Sequence, residues 1–432
     1  MRSILRYASV GVAAFCAALA AQPSAAQQTE TLKLGIVTFL SGAAAGPFGV
    51  PARNAAELAI EALNAGTVPA PYEKKGISGV PIEMVIVDEA GGTTRQVTEY
   101  RNLVQRANVD AIIGYISSGD CLAIAPLADE LKKLTIFFDC GTPRIFEDAS
   151  YKYLFRTGAH ATMDNVAAAR YLLARNKNIK TIAGINQNYA WGQDSWNDFK
   201  AAMQTLSPGV KIATEQFPKL LAGQYGAEIS ALLVEKPDVI HSSFWGGDLE
   251  AFTLQGKARG VFEGRTVLLT AGEPAMFRMA TQIPNGTVIG ARGPHGVFAP
   301  DNALNKWFRA AYSERYGTPP VYPSYKMVQA ILGLKAAAEK AAADKPEKPA
   351  MDAVVAAFEG LSYETPSGRV DMKLGKGHQA IQDIAYGTFK FDPAKGEPQL
   401  ADVERYPAEC VNPPEGVKSE DWIKGGFKGA KC

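Results

Sequence analysis

The sequence has little of what enzymes and nucleic-acid-binding proteins usually require. Its 45 Lys and Arg residues are balanced by 44 Asp and Glu residues, and a near-neutral surface argues against nucleic acid or an anionic membrane as the main partner. It has no Gly-x-Ser-x-Gly elbow, and Asp88-Glu89 is the one close carboxylate pair at a predicted strand end. The four histidines are scattered: His160, His241, His295 and His378. These absences argue against an enzyme.

Nucleotide-binding motifs are also missing from the glycine-rich loop between the first predicted strand and the first predicted helix. Residues 31–64 read as a buried strand, a glycine-rich loop and a long amphipathic helix. The loop lacks the Lys-Ser/Thr of a P-loop and the G-x-G-x-x-G of a dinucleotide fingerprint. Gly42, Gly46 and Gly49 instead expose backbone N–H groups near a helix N-terminus, which suits a small anion or a carboxylate. We predict no cofactor.

The N-terminus has the features of a secretory signal peptide. Arg2 and Arg6 precede an apolar run, residues 7–21, that is too short to span a bilayer, and small residues follow at 24–26. We therefore predict that residues 1–26 are removed on export. No later run approaches the ~20 apolar residues of a membrane span.

Four cysteines remain after the signal peptide, and an even number in an exported chain favours disulfides. No Cys-x-x-Cys or paired-histidine spacing supports a metal site. Cys121 opens the helix after one predicted strand and Cys140 ends the next strand, and adjacent parallel strands lie ~4.8 Å apart. We predict the pairs Cys121–Cys140 and Cys410–Cys432, with reduced thiols as the alternative.

Strand-like apolar runs alternate with helical patterns along the chain, which is the signature of parallel sheets covered on both faces. A first run of strands ends near 155, and a second extends from 181 to 291. Three helical segments follow at 302–316, 323–343 and 351–359, and they are expected to pack back on the first domain. The roughly 406 mature residues exceed what one core usually supports. The fold class is thus α/β, with two Rossmann-like, doubly wound lobes.

The two lobes are predicted to be joined by a three-segment hinge. The predicted boundaries assign 27–156 and 297–362 to the first lobe, and 157–291 and 366–432 to the second. The first crossover is predicted near 156–158, and the other two are predicted at 292–296 and 363–365.

Several strings in the chain resemble the branched-chain amino-acid (leucine/isoleucine/valine-binding) class of periplasmic solute-binding proteins. The helix ending Ala-Ile-x-x-Leu-Asn-Ala-Gly at 59–66 matches that class, as do Thr-Pro-Ser-Gly-Arg-Val at 365–370 and His-Gln-Ala at 378–380. The resemblance implies a type I periplasmic binding fold and a location in the periplasm. It also implies delivery of a small solute to an inner-membrane ABC permease and its ATPase subunits. We expect a monomer.

The ligand-binding residues of the first lobe are predicted at the carboxyl ends of its strands, where ligands of open parallel sheets collect. Two loops rich in backbone and hydroxyl donors lie there, and N-capping by Ser118 or Asp120 is the alternative explanation of the first. The resemblance implies that these loops hold the carboxylate of the ligand. The predicted residues are Ser117, Ser118, Gly119, Cys140, Gly141 and Thr142.

The second lobe is predicted to contribute Tyr189 and Trp245 as pocket walls and Glu273 as the partner of an ammonium group. The resemblance implies the roles of Tyr189 and Glu273. A core position for Trp245 and a solvated loop position for Glu273 are the alternatives. Because a buried carboxylate needs a cationic partner, Glu273 favours an amino acid with an apolar or aromatic side chain. An aromatic or aliphatic carboxylate without the amine is the alternative ligand, and a sensory protein without a permease is the alternative function.

Overall fold

The computed structural model describes residues 30–343, 345, 347–394 and 396–432, so the predicted signal peptide lies outside the described residues. The chain forms two α/β lobes, each with one central sheet. The strands in chain order are β1 (Leu32–Thr38), β2 (Ile82–Asp88), β3 (Ala111–Gly114), β4 (Thr135–Phe137), β5 (Leu154–Arg156), β6 (Thr181–Ile185), β7 (Lys211–Gln216), β8 (Val239–Ser242), β9 (Thr266–Leu269), β10 (Val288–Gly290), β11 (Ser362–Thr365), β12 (Gly368–Leu374), β13 (Gln379–Ile381), β14 (Ile384–Asp392) and β15 (Glu397–Tyr406).

Helices cover both sheets, and most lie between consecutive strands. They are α1 (Val50–Ala65), α2 (Thr93–Gln105), α3 (Ser118–Glu130), α4 (Arg144–Glu147), α5 (Ala161–Arg175), α6 (Ala190–Leu206), α7 (Gly226–Glu235), α8 (Gly246–Ala258), α9 (Ala275–Arg278), α10 (Ala303–Tyr316), α11 (Tyr322–Ala342), α12 (Met351–Phe358), α13 (Ala408–Val411) and α14 (Ser419–Lys424). The ends of two of them follow from local sequence. Gly66, at a φ of 73°, ends α1 in the left-handed region, and the Asn302 side chain caps α10 by accepting from the Asn305 N–H at 2.7 Å.

The first sheet has the order β11-β12-β13-β5-β4-β3-β1-β2, and the second has the order β15-β14-β10-β9-β8-β6-β7. Strands β1 to β5 are parallel to one another, as are β6 to β10. Antiparallel pairs are confined to one end of each sheet, in β11–β13 and β14–β15. The predicted fold of two α/β lobes with mostly parallel sheets is confirmed.

Helix α11 returns the chain to the first lobe, as predicted from the strand-free helical stretch. It is almost wholly buried, and it packs against α1 and α12. Because α11 is buried on nearly all sides, its few polar side chains, such as Lys326 and Gln329, are buried with it. The predicted helices 302–316, 323–343 and 351–359 agree with α10, α11 and α12 to within one residue at each end.

The third crossing between the lobes lies elsewhere than predicted. Residues 366–432 were assigned to the second lobe, with a crossover at 363–365, but β11, β12 and β13 all belong to the first sheet. Strand β13 pairs in parallel beside β5, so the hairpin β11–β12 and β13 cover an edge of the first sheet that would otherwise be open. The chain crosses only afterwards, between β13 and β14, at residues 382–383.

Both predicted disulfides are present. Cys121 at the start of α3 bonds to Cys140 after β4, and Cys410 in α13 bonds to Cys432 at the end of the chain. The second bond holds the C-terminal segment, whose helix α14 packs against α6. Within the described residues, no helix is long and apolar enough to cross a membrane. The same residues contain no cluster of His, Cys, Asp and Glu side chains that could bind a metal ion.

The disulfides should stabilise the fold through the chain entropy of the unfolded state. The bonded cysteines are 19 and 22 residues apart, so the variants Cys121→Ala/Cys140→Ala and Cys410→Ala/Cys432→Ala should each lose about 3 kcal/mol of unfolding free energy in urea. Mass spectrometry after alkylation in denaturant without reductant should detect no free thiol in the mature protein. Alkylation of all four cysteines would contradict both bonds.

Candidate functional site

A cleft between the lobes lies at the carboxyl ends of the parallel strands of both sheets, where ligands of such sheets bind. Loops after β1, β3 and β4 reach it from the first lobe, and loops after β6, β8, β9 and β10 reach it from the second. The lobes are closed on it: the free volume at its centre is about 10 Å³, roughly the space of one water. The lining residues are Phe48, Ile116, Asp139, Gly141, Tyr189, Trp191, Trp245, Ala271, Arg292 and Tyr322.

The walls of the cleft are largely aromatic. The Phe48 ring packs edge-on against Trp245 and Tyr322, with centroids 5.4 and 5.3 Å apart. The Trp245 indole N–H donates to the Tyr189 hydroxyl at 2.7 Å, and the Trp191 indole N–H donates to a backbone carbonyl at 2.8 Å. Because these indole N–H groups are satisfied within the protein, the walls offer a ligand mainly ring surface.

A buried cluster of charges lies at one side of the cleft, centred on Arg292. Its Nη1 donates to Asp139 Oδ1 at 2.6 Å, its Nε donates to Asp164 Oδ2 at 3.1 Å, and its Cζ lies 4.2 Å from the centroid of the Trp191 ring. The Lys326 ammonium also contacts Asp139 Oδ1, at 2.9 Å. Burial, followed by the charge of Arg292, lowers the pKa of Lys326 to about 8.

Among the described residues that line the cleft, Asp139 has a buried polar atom that lacks a hydrogen-bond partner. Its Oδ1 accepts from Arg292 and Lys326, whereas Oδ2 is buried and has no hydrogen-bond partner among the described residues. The two cations and two carboxylates of the cluster balance in charge. The atom without a partner, Asp139 Oδ2, is a hydrogen-bond acceptor, so it suits a ligand group that donates a hydrogen bond.

One of the donors predicted in the first loop, the Ser117 N–H, is occupied by the protein itself. The carboxylate of Glu89 accepts from the Ile116 N–H at 2.8 Å and the Ser117 N–H at 2.7 Å. Glu89 thus takes the place that was predicted for a ligand carboxylate. Burial, followed by the charge of Asp120, raises its pKa well above the ordinary range.

The donors of the second loop are also paired internally. The Ser118 hydroxyl oxygen accepts from the N–H groups of Gly141 and Thr142, at 3.1 and 3.2 Å. The Thr142 hydroxyl donates to Asp194 at 2.6 Å. Of the predicted residues, Gly141, Tyr189 and Trp245 line the cleft, and the following do not: Ser117, Ser118, Gly119, Cys140, Thr142 and Glu273.

Comparison with known proteins shows the family to which this chain belongs. The model of a family described as periplasmic binding protein matches residues 31–397. The chain belongs to this family. A Leu/Ile/Val-binding protein homologue of Brucella melitensis is 24% identical over 396 residues, which cover 88% of each chain.

Solved periplasmic binding proteins share the fold. A solute-binding protein of an ABC transporter from R. palustris, in complex with benzoate, is 20% identical and has a TM-score of 0.74, covering 90% of this chain and 100% of that one. A leucine-binding protein from Thermotoga maritima is 19% identical with a TM-score of 0.69, covering 86% of this chain and 98% of that one. The family is one of solute-binding proteins that act outside the cytoplasm.

In this periplasmic binding protein, Glu273 lies at the hinge and not at the cleft. Its carboxylate accepts from the Tyr322 N–H at the start of α11, at 2.8 Å, and lies against Gly296 in the second crossing segment. The side chain is fully buried, and burial raises its pKa to about 8. A carboxyl that remains protonated at neutral pH needs no ammonium partner, and the binding of a ligand ammonium group by Glu273 stays a prediction.

The sequence analysis overlooked the side chains that contribute most to the charge and walls of this cleft. Arg292 was counted only as part of a crossover, and Asp139 was not singled out. A signal for Arg292 existed, because it lies two residues after the apolar strand β10, at the point where the chain leaves the second lobe. Phe48 and Tyr322 had no comparable signal, since a contact across the cleft leaves no local pattern.

The raised pKa of Glu273 predicts a pH dependence that a single substitution should remove. Between pH 5 and pH 8 the unfolded chain has lost this proton while the folded chain keeps it, so this group lowers stability as pH rises. Relative to Glu273→Gln, the natural protein should therefore lose up to about 1.4 kcal/mol of unfolding free energy per pH unit. Urea unfolding at pH 5, 6.5 and 8 measures the difference.

The exposed Glu263 supplies the matched control for this comparison. Glu263→Gln should follow the pH profile of the natural protein. A constant difference between Glu273→Gln and the natural protein over this pH range would contradict the protonated state of Glu273.

Proposed function

We propose that this periplasmic binding protein captures a small amino acid with an aromatic side chain and delivers it to an ABC permease. The observation that carries the proposal is the unpartnered Asp139 Oδ2 in a cleft walled by five aromatic side chains. An ammonium group supplies the donor that this oxygen needs, and an aromatic ring matches the walls. Asp139 thus takes the role that the sequence had suggested for Glu273.

The polar end of such a ligand would meet a site that is already balanced in charge. A zwitterion adds no net charge to the cluster of Arg292, Lys326, Asp139 and Asp164, whereas a lone carboxylate would approach the free oxygen of Asp139. Because Glu89 and Ser118 occupy the N–H groups of Ser117, Gly141 and Thr142, we assign the ligand carboxylate to the side of Arg292.

An aromatic carboxylate with a ring hydroxyl is a second candidate, favoured by Arg292. Its hydroxyl would donate to Asp139 Oδ2, and its carboxylate would interact with the guanidinium. The benzoate-bound protein from R. palustris supports this class of ligand for the fold. A sensory protein that never meets a permease is the alternative at the level of function, and neighbouring genes for permease and ATPase subunits would separate the two.

A thermal-shift panel on protein freed of ligand by unfolding and refolding tests the proposal. Phenylalanine should raise the melting temperature more than leucine, which lacks the ring, and more than 3-phenylpropanoate, which lacks the amine. A ligand at 100 times its dissociation constant adds about 2.7 kcal/mol of stability, an effect large enough to detect.

The same panel distinguishes the second candidate. A shift from 4-hydroxybenzoate that exceeds those from benzoate and phenylalanine would replace the amino acid by a hydroxylated carboxylate. A shift from leucine that equals the shift from phenylalanine would contradict an aromatic ligand of either class.

We also propose that ligand binding closes the two lobes about the three crossing segments, and Gly141 gives a specific test. Gly141 belongs to the first lobe, and a Cβ added to it would lie 2.3 Å from the Trp191 ring of the second lobe and 2.6 Å from the Arg292 guanidinium. With the ligand that gives the largest thermal shift, the radius of gyration from solution scattering should fall for the natural protein and stay unchanged for Gly141→Ala.

Gly209→Ala serves as the matched control, because a Cβ there has no atom within 4 Å. It should close like the natural protein. Full compaction of Gly141→Ala would show that the closed contact described between the lobes is not the one formed in solution.

A further inference from the structure

A second cavity lies away from the cleft, between the first lobe and the C-terminal segment that follows α13. We call it the tail cavity. Its volume is about 170 Å³, far larger than the space left in the closed cleft. The residues that matter for its chemistry are Phe146, Arg156, His160, Leu374, Pro413 and Val417.

Arg156 gives the tail cavity its charge. The side chain is fully buried; its Nε donates to Gln379, and its Nη1 donates to the carbonyls of Cys140 and Thr142, at 3.1 and 2.5 Å. Its Nη2 has no hydrogen-bond partner, and no carboxylate forms an ion pair with it, among the described residues. A buried cation without a counter-ion is costly, and an anion at Nη2 would offset that cost.

A second buried polar group lines the same space. His160 is 2% exposed, and its Nδ1 also lacks a hydrogen-bond partner in the described part of the chain. Burial, followed by the charges of Arg156 and Arg292, keeps its pKa well below the usual range, so the ring is neutral and its Nδ1 can donate or accept according to tautomer.

The remaining charges around the cavity are paired, apart from the ammonium of Lys376, which is exposed. Three cations and two carboxylates line it, an excess of one positive charge. Both oxygens of Glu147 accept from Ser419, through its N–H at 3.1 Å and its hydroxyl, and Glu415 accepts from the Lys376 N–H at 2.8 Å. Lys418 is paired with Asp148 at 2.7 Å. Arg156 is thus the buried cation that lacks an acidic partner.

Apolar groups make up much of the rest of the lining. Phe146, Leu374 and Val417 line the cavity together with the prolines at 143, 413 and 414. We propose that the tail cavity binds a small organic carboxylate, with the carboxylate on Arg156 and an aliphatic body against Phe146 and Leu374. The proposal does not rest on the identity of the solute in the cleft.

Isothermal titration of the mature protein with pentanoate and with pentanamide tests this site. The two probes share an aliphatic body and lack the aromatic ring that the cleft is proposed to bind; the amide N–H of pentanamide is the only hydrogen-bond donor between them. Pentanoate should bind at least tenfold more tightly than the neutral amide. Equal binding of the two probes, or no binding of pentanoate, would overturn the proposal.

The cavity-filling variant Val417→Trp locates the binding. Val417 is 40% exposed, so a larger side chain is tolerated at the surface while its body enters the cavity, and pentanoate binding should fall at least tenfold. Val403→Trp, at an exposed valine of β15 that does not line the cavity, should bind like the natural protein. Unchanged binding in Val417→Trp would place the site elsewhere.

Arg156→Gln tests the charge directly, and circular dichroism first establishes that the variant is folded. It should lose the preference for pentanoate over pentanamide. A folded Arg156→Gln that keeps the preference would overturn the role of the guanidinium, and if the variant does not fold, the Val417→Trp comparison decides the proposal alone.

Discussion

The buried guanidinium of Arg292 is the interaction on which the arrangement of the two lobes depends. It follows β10 in the second crossing segment and bonds to Asp139 after β4 of the first lobe and to Asp164 in α5 of the second. Removing one partner of such a buried cluster leaves an unpaired charge in the interior, which typically costs 3–5 kcal/mol. The cluster therefore fixes the relative position of the lobes, and it also brings Asp139 to the cleft.

The position of the cleft could be predicted from the sequence, whereas the side chains that determine its charge and its free hydrogen-bonding groups could not. Alternating strands and helices predict where parallel strands end, and Gly141, Tyr189 and Trp245 lie at those ends and line the cleft. Which donors are free depends on contacts between distant segments. Glu89 and Ser118 accept from the N–H groups of Ser117, Gly141 and Thr142, and nothing in the local sequence of those loops shows that they do.

The sequence likewise predicts some features of the fold and not others. Strand bounds such as those of β1, β2 and β6 follow directly from the apolar runs, and the disulfide partners follow from the adjacency of parallel strands. The third crossing was misplaced because a hairpin can cover the edge of either sheet. The pairing of β13 with β5 places the hairpin on the first sheet. A pairing between residues more than 200 positions apart has no signature in a single sequence.

The placement of β11 to β15 has a consequence for when the lobes can form. The first sheet needs β11–β13 to cover its edge, and the second needs β14 and β15, so each sheet remains incomplete until residues 362–406 have been made. Domains often fold in order from the N-terminus during synthesis. Here neither lobe is a contiguous unit that could do so, so neither sheet can be completed until almost all of the chain is available, which is compatible with a protein that acts outside the cytoplasm.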